Sequence, residues 1–280
     1  MSSFRIVFLA ALLLLASSTL TAQEWGYGVK AGLNLKSLTG GEGNSFNTGF
    51  HVGLMLRAEF TDLIGVQGEL LYSQKGTKYE SLSAAALDFD TNAGNTVSTT
   101  GSLSTILNVT NSYIDLPILF YYRPTDRIQL GAGVNVGVLV NSVGSGEIVY
   151  SDAFTANSSP IDPLIITLDY DYYVDDIGEG DMENLLNFNL DGAAARVPRT
   201  IGAYYFDEER DGSFFNTLDF GLNADVLFFL TSGIILEGRV NYGLTDTTNN
   251  NYGNSPIVPE LTDDSADQNI SFQLSIGFNF

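Results

Sequence analysis

Residues Ile128–Val140 read IQLGAGVNVGVLV. Every even position is apolar: Ile128, Leu130, Ala132, Val134, Val136, Val138 and Val140. The odd positions are Gln129, Gly131, Gly133, Asn135 and Gly137, with Leu139 as the exception. Side chains of a strand alternate between its two faces, so one face here is hydrocarbon and the other small and polar. At about 3.3 Å per residue the stretch spans roughly 40 Å, longer than a typical soluble strand. A transmembrane barrel strand needs this arrangement, with lipid outside and a polar lumen inside. A buried sandwich strand shows it too, so the number of such segments decides.

Seven further segments obey the same rule: Trp25–Leu38, Phe50–Phe60, Ile64–Ser73, Tyr113–Tyr122, Leu218–Phe228, Ile234–Leu244 and Ile270–Phe280. No apolar-face position in any of the eight carries a charge, although charged residues make up 16% of the chain. Lys or Arg facing lipid at the midplane costs about 2–4 kcal/mol, which accounts for the exclusion. Short turns join the second segment to the third, the fourth to the fifth and the sixth to the seventh; the other connections are long. Short turns on one rim and long loops on the other are the outer-membrane pattern. Apolar-face aromatics also gather near segment ends, among them Trp25, Tyr27, Phe60, Tyr122, Phe228 and Phe280 at one rim. The expectation is an all-β fold: an eight-stranded antiparallel transmembrane β-barrel with long extracellular loops, in the bacterial outer membrane, both termini periplasmic.

Residues 1–22 place Arg5 ahead of the apolar run Ile6–Ala16 and a small-residue region, which predicts a secretory signal peptide cut after Ala22. The run is too short for a spanning helix, which needs about 20 residues. Residues 23–280 then form the barrel. The chain has no Cys, so disulfides, thiolate metal sites and cysteine-linked lipid are excluded.

Residues 80–110, rich in Ser, Thr, Ala, Asn and Gly, predict a long loop. Residues 143–215 form a long acidic extracellular insertion with fifteen acids and three arginines. The formal net charge of −21 is thereby concentrated in the loops, and nucleic acid is disfavoured as a partner. Within the insertion, Leu164, Ile166, Leu168, Tyr170, Tyr172 and Val174 alternate again, as does Val197–Tyr205. These two stretches predict a hairpin prolonging the barrel wall beyond the membrane. The acidic run Asp169–Asn184 could hold Ca²⁺, although it lacks EF-hand spacing.

Six lumen-facing charges, Lys30, Arg57, Glu69, Asp225, Glu237 and Arg239, lie a few residues up their strands from the short-turn rim. An eight-stranded barrel is just wide enough for side chains to fill, and desolvated charges need partners. The expectation is a structural, self-neutralising lumen charge network, with an ion-selective constriction as the alternative. His51, the single His, is expected as an inward, hydrogen-bonded polar residue near Ser73 or Asp115. There is no GxSxG, HExxH, phosphate loop or Cys/His metal spacing, so no catalytic, cofactor-binding or metal residues are assigned.

The stretch SYIDLPILFYYRP (Ser112–Pro124), the opening WGYGVKAGLN and the ending SFQLSIGFNF resemble the PorT-like outer-membrane β-barrel proteins of Bacteroidetes-type bacteria. The likeness covers about residues 25–140 and 216–280, and the 143–215 insertion departs from it. Pro117, which donates no ladder bond, predicts a bulge. The resemblance bears on fold more than on function; the barrel with its side-chain-filled lumen and acidic loops is expected to be non-enzymatic, with a structural, surface-recognition or envelope/secretion-complex role. Its partners would be the lipid bilayer and an extracellular or envelope protein held by the acidic loops. A small channel for ions or solutes and a membrane-embedded enzyme are the alternatives.

Overall fold

In a computed structural model the chain is all-β, described over residues 24–40, 43–207, 212–249 and 266–280. The expected signal segment 1–22 lies outside the described residues, as does 250–265 of the expected last loop. In chain order the strands are β1 (Glu24–Leu38), β2 (Asn44–Ser45), β3 (Asn47–Glu59), β4 (Ile64–Lys75) and β5 (Lys78–Asp90). β6 (Thr96–Thr125), β7 (Ile128–Thr155), β8 (Pro160–Ile161), β9 (Leu164–Asp171) and β10 (Leu185–Leu190) follow. The last are β11 (Ala193–Pro198), β12 (Thr200–Ile201), β13 (Leu218–Phe229), β14 (Ile234–Gly243) and β15 (Asn269–Asn279).

Eight strands form a ring, β1–β3–β4–β6–β7–β13–β14–β15 and back to β1, with every neighbour antiparallel. These are the eight segments expected from the alternation. Apolar side chains stand on the outside of the ring, with Leu54 56% and Leu274 59% exposed, while Asn34, Glu69, Asn135 and Arg239 are buried within it. Outside a membrane this exposed hydrocarbon would be unstable; inside one it is solvated by lipid.

Three expectations about the long connections are corrected. Residues 80–110 are not a loop. β5 continues the line of β4 after a break at Gly76, whose φ of 117° suits glycine, and pairs with the upper half of β6 from Lys78↔Asn108 to Asp90↔Thr96. Likewise 143–155 continue β7, so the insertion leaves the wall only after Thr155. β9 pairs antiparallel with β7, Val143↔Asp171 to Tyr150↔Leu164, rather than with residues 197–205. The latter meet β9 through a short parallel pairing at Thr200 and Ile201, with the Thr167 N–H donating to the Arg199 carbonyl at 2.8 Å. β10 and β11 form a separate antiparallel hairpin, Leu185↔Pro198 to Leu190↔Ala193.

The extended wall inverts its polarity. Along β6 the exposed side within the ring is apolar, with Leu116, Ile118, Phe120 and Tyr122, whereas beyond the ring Leu103, Leu107 and Val109 are buried and Ser98 and Thr100 are exposed. The facing strands contribute Ile148, Tyr150, Leu164, Leu168 and Tyr170, so above the ring the apolar side is inside. The changeover coincides with a register shift between Ser112 and Tyr113 opposite Leu139–Asn141, which moves the buried set of β7 from odd to even positions. Water has replaced lipid as the outer solvent, and burial again favours apolar groups inside.

Pro117 makes no bulge. Its register with β7 is continuous, Pro117↔Asn135, and the ladder to β4 keeps its register but lacks pairs between Gly68↔Ile118 and Leu71↔Asp115. The missing proline N–H interrupts bonding without inserting a residue.

The inversion has a measurable consequence. Leu274→Arg, in the lipid-facing belt, should cost about 2–4 kcal/mol, whereas Thr167→Arg, outward on β9, should change stability by less than about 0.5 kcal/mol. Reversible urea unfolding in phospholipid vesicles measures both.

Candidate functional site

The lumen is crossed by two layers of buried ions. In the layer nearer the short turns, Lys30 of β1 sits 2.9 Å from Glu69 of β4 and 2.8 Å from Glu237 of β14. Arg239 of β14 donates to both oxygens of Glu69 at 2.7 Å, to Asp225 of β13 at 2.8 Å, and lies 2.9 Å from Glu237. β4 and β14 are diametrically opposite in the ring, so the two-pronged Arg239–Glu69 pair spans the bore. Fork-to-fork guanidinium–carboxylate geometry is the strongest and most directional ion pair available to side chains. Inward glycines make room for it: a Cβ on Gly131 would strike the Asp225 carboxylate.

Five of the six lumen charges named from the sequence are thereby joined directly. Arg57 is not. Its side chain, on a residue only 5% exposed, donates through Nε to Gln67 at 2.7 Å, and Gln67 in turn donates to Glu69. The guanidinium carbon lies 5.3 Å from the centre of the Phe229 ring, a cation–π contact. Arg57 thus joins the layer through an amide relay, and no carboxylate pairs with it among the described residues.

The second layer lies toward the long-loop end. Lys75 of β4 bridges Asp115 of β6 at 2.9 Å and Asp219 of β13 at 2.7 Å, and stands 4.7 Å over the Tyr113 ring. Asn135 donates to Asp115 at 2.9 Å. A Cβ at Gly137 would come within 2.5 Å of the same carboxylate. Between the layers His51 bridges Asn34 (Nδ1, 2.6 Å) and Ser275 (Nε2, 2.7 Å); Asn34 also donates to Ser73 at 3.3 Å. His51 is therefore held by polar neighbours and faces Ser73 directly across the β3–β4 ladder, as expected, with Asn34 bonded to both; no hydrogen bond joins it to Asp115.

Alternation along β4 could have signalled the second layer. Glu69, Leu71, Ser73 and Lys75 share one face, but the sequence segment stops at Ser73, one step short. Asp115 and Asp219 read as inward, yet their meeting with Lys75 depends on strand shear, which alternation does not encode.

In the acidic insertion the carboxylates serve the backbone. Asp175 accepts from the N–H groups of Asp171 and Ala203, both at 2.8 Å, and Asp181 from those of Glu183 and Asn184 at 3.1 Å. Asp171 accepts from Tyr173 at 3.0 Å. These are turn-capping bonds, and among the described residues no group of three or more potential ligands converges as a metal site would. Burial among aromatic rings pushes the Tyr170 and Tyr172 hydroxyls above their ordinary pKa, so both remain neutral.

Removing one partner from a buried ion network leaves another charge unpaired, at a cost of about 3–5 kcal/mol. Glu69→Gln should lose stability on that scale, since Lys30 and Arg239 both depend on it. Arg57→Met, which breaks no ion pair, should lose clearly less. Urea midpoints of the refolded proteins in vesicles distinguish the two; equal midpoints would mean the layer does not act as a unit.

Residues 21–249 match the family model described as "Outer membrane protein beta-barrel domain". No curated protein matches the chain. Among solved structures, Ail, the attachment invasion locus protein of Yersinia pestis, is similar at 11% identity with a TM-score of 0.37, covering 92% of this chain and 99% of its own. Neisserial surface protein A is similar at 9% identity and a TM-score of 0.35, covering 91% and 97%. OprG from Pseudomonas aeruginosa is similar at 10% identity and a TM-score of 0.31, covering 92% and 97%. Scores this low mark a loose likeness, and the fold rests on the strand pairings and the family match. The chain belongs to the outer membrane protein β-barrel domain family, and is a bacterial outer-membrane barrel embedded in the lipid bilayer.

Proposed function

We propose that the protein is a non-conducting, non-enzymatic barrel with a structural, surface-recognition or envelope/secretion-complex role, its specificity carried by the cap built from β5, the upper halves of β6 and β7, and residues 156–207 and 212–215. The supporting observation is the Arg239–Glu69 pair across the bore, with Lys30, Glu237 and Asp225 packed around it. An eight-stranded barrel has no width to spare around such a layer. The six charges Lys30, Arg57, Glu69, Asp225, Glu237 and Arg239 then serve as a structural plug. The Lys75 layer is a second seal above it.

The termini and short turns face the periplasm and the acidic cap faces outward, following the usual asymmetry of outer-membrane barrels. Residues 1–22 act as the export signal. Within the family, the Ser112–Pro124 stretch supports placement among the PorT-like barrels of Bacteroidetes-type bacteria. A protein partner would meet the acidic cap, because exposed loops on a rigid scaffold are where recognition residues gather.

Two measurements test this. Purified protein in planar bilayers should give no steady conductance; a reproducible conductance would favour the channel alternative. Protease added to whole cells should cut within residues 156–215 and leave the termini intact, whereas cleavage only after permeabilisation would reverse the assigned orientation.

A further inference from the structure

The cap contains a deep, partly open cavity that the lumen layers do not explain. It has a volume of about 280 Å³ and lies between the extended wall and the segments folded over it. Its floor is Leu103 of β6, Ile148 and Tyr150 of β7, and Leu164 of β9, all buried. Its cover is Val197 and Pro198 of β11, with Tyr205 and Phe206 beyond β12. The edge-to-face contact of Phe89 with Phe188, at 5.1 Å, ties the β5 side of the wall to the β10–β11 hairpin.

We propose that this cavity binds a small, uncharged apolar molecule taken from the surrounding medium. Three observations carry this. First, the interior offers water little: Tyr150 Oη is already bonded to Thr99 Oγ1 at 2.8 Å. No described lining residue carries a buried side-chain polar atom lacking a partner. A water needs two to four polar partners, whereas an apolar cavity of about 150 Å³ stays dry and accepts benzene. By that proportion this space suits a molecule of about eleven non-hydrogen atoms.

Second, the charged lining residues, Asp88, Asp90 and Arg196, are exposed and sum to −1, which repels an anion, while a cation entering the apolar interior would lose its hydration without a buried partner. A neutral guest meets no net repulsion. Third, the floor lies about 30 Å along β6 from the level where the wall turns lipophilic, nine residues from Leu103 to Ser112 at about 3.3 Å each. A bilayer acyl chain does not reach it without leaving the membrane.

The test uses full-length protein in nanodiscs. Trp25→Phe removes the only tryptophan, and Phe206→Trp places a reporter in the cover. Titration with 4-bromotoluene, a neutral contact quencher, should quench the reporter saturably. Val197→Phe, which fills the space, should weaken that quenching at least tenfold; Leu87→Phe serves the same purpose if Val197→Phe does not fold. The anion 4-bromobenzoate should bind at least tenfold more weakly than 4-bromotoluene. Nanodiscs made with phospholipid brominated along its chains should leave the reporter unquenched. Linear quenching unaffected by either filling variant would overturn the site. Equal binding of 4-bromobenzoate would overturn its selectivity for neutral guests, and strong quenching by brominated lipid would overturn the assigned source.

Discussion

Hydrocarbon offers a peptide group nothing to bond with, and that constraint governs this molecule. Every strand of the belt must find neighbours on both sides, so the sheet returns to its start through the β15–β1 ladder and has no free edge. Closure fixes the rest. Outward positions become apolar because lipid is the solvent there, and inward positions become polar because eight strands leave a narrow bore. A narrow polar bore fills with side chains, and buried charges within it persist only when they satisfy one another. The crossing of the lumen by Arg239 and Glu69 is the outcome of those steps.

The same wall obeys the opposite rule a few residues farther on. β6 and β7 run without interruption from lipid into water, and at the Ser112–Asn141 level their apolar side passes from outside to inside. The cap therefore has a conventional core, closed by aromatic packing of Tyr172 against Phe214 and Phe215 at 5.4 and 4.9 Å. Its acids remain outside, where Asp171, Asp175 and Asp181 hold turns together through backbone N–H groups. A register shift at the boundary lets one strand serve both environments.

Legibility in the sequence followed the strength of the solvent contrast. In the belt, lipid against lumen forces strict alternation, and all eight strands could be read from it. Above the belt the contrast is water against a small core, and Ser, Thr, Ala and Gly occupy both faces of 80–110, so a paired strand looked like a loop. The inward parity of Lys30, Glu69, Asp225, Glu237 and Arg239 was equally readable, because charge was excluded from the other face. Their actual partners depend on shear, which is why Lys75 with Asp115 and Asp219 went unseen; Arg57 meets Gln67, its direct partner across the β3–β4 ladder, rather than a carboxylate. Pro117 was readable as a disturbance, but whether a lost donor becomes a bulge or a gap depends on neighbouring strands that alternation does not describe.

Spin labels placed singly at Leu54, Val136 and Leu274, with Asn135 as the inward control, probe the solvent of the apolar face in native outer-membrane vesicles. The three outward labels should collide freely with dissolved oxygen and little with a water-soluble nickel complex, while the label at Asn135 should be shielded from both. Outward labels that met the nickel complex, or that were immobilised by packed protein, would contradict a lipid-facing wall and the closed barrel built upon it.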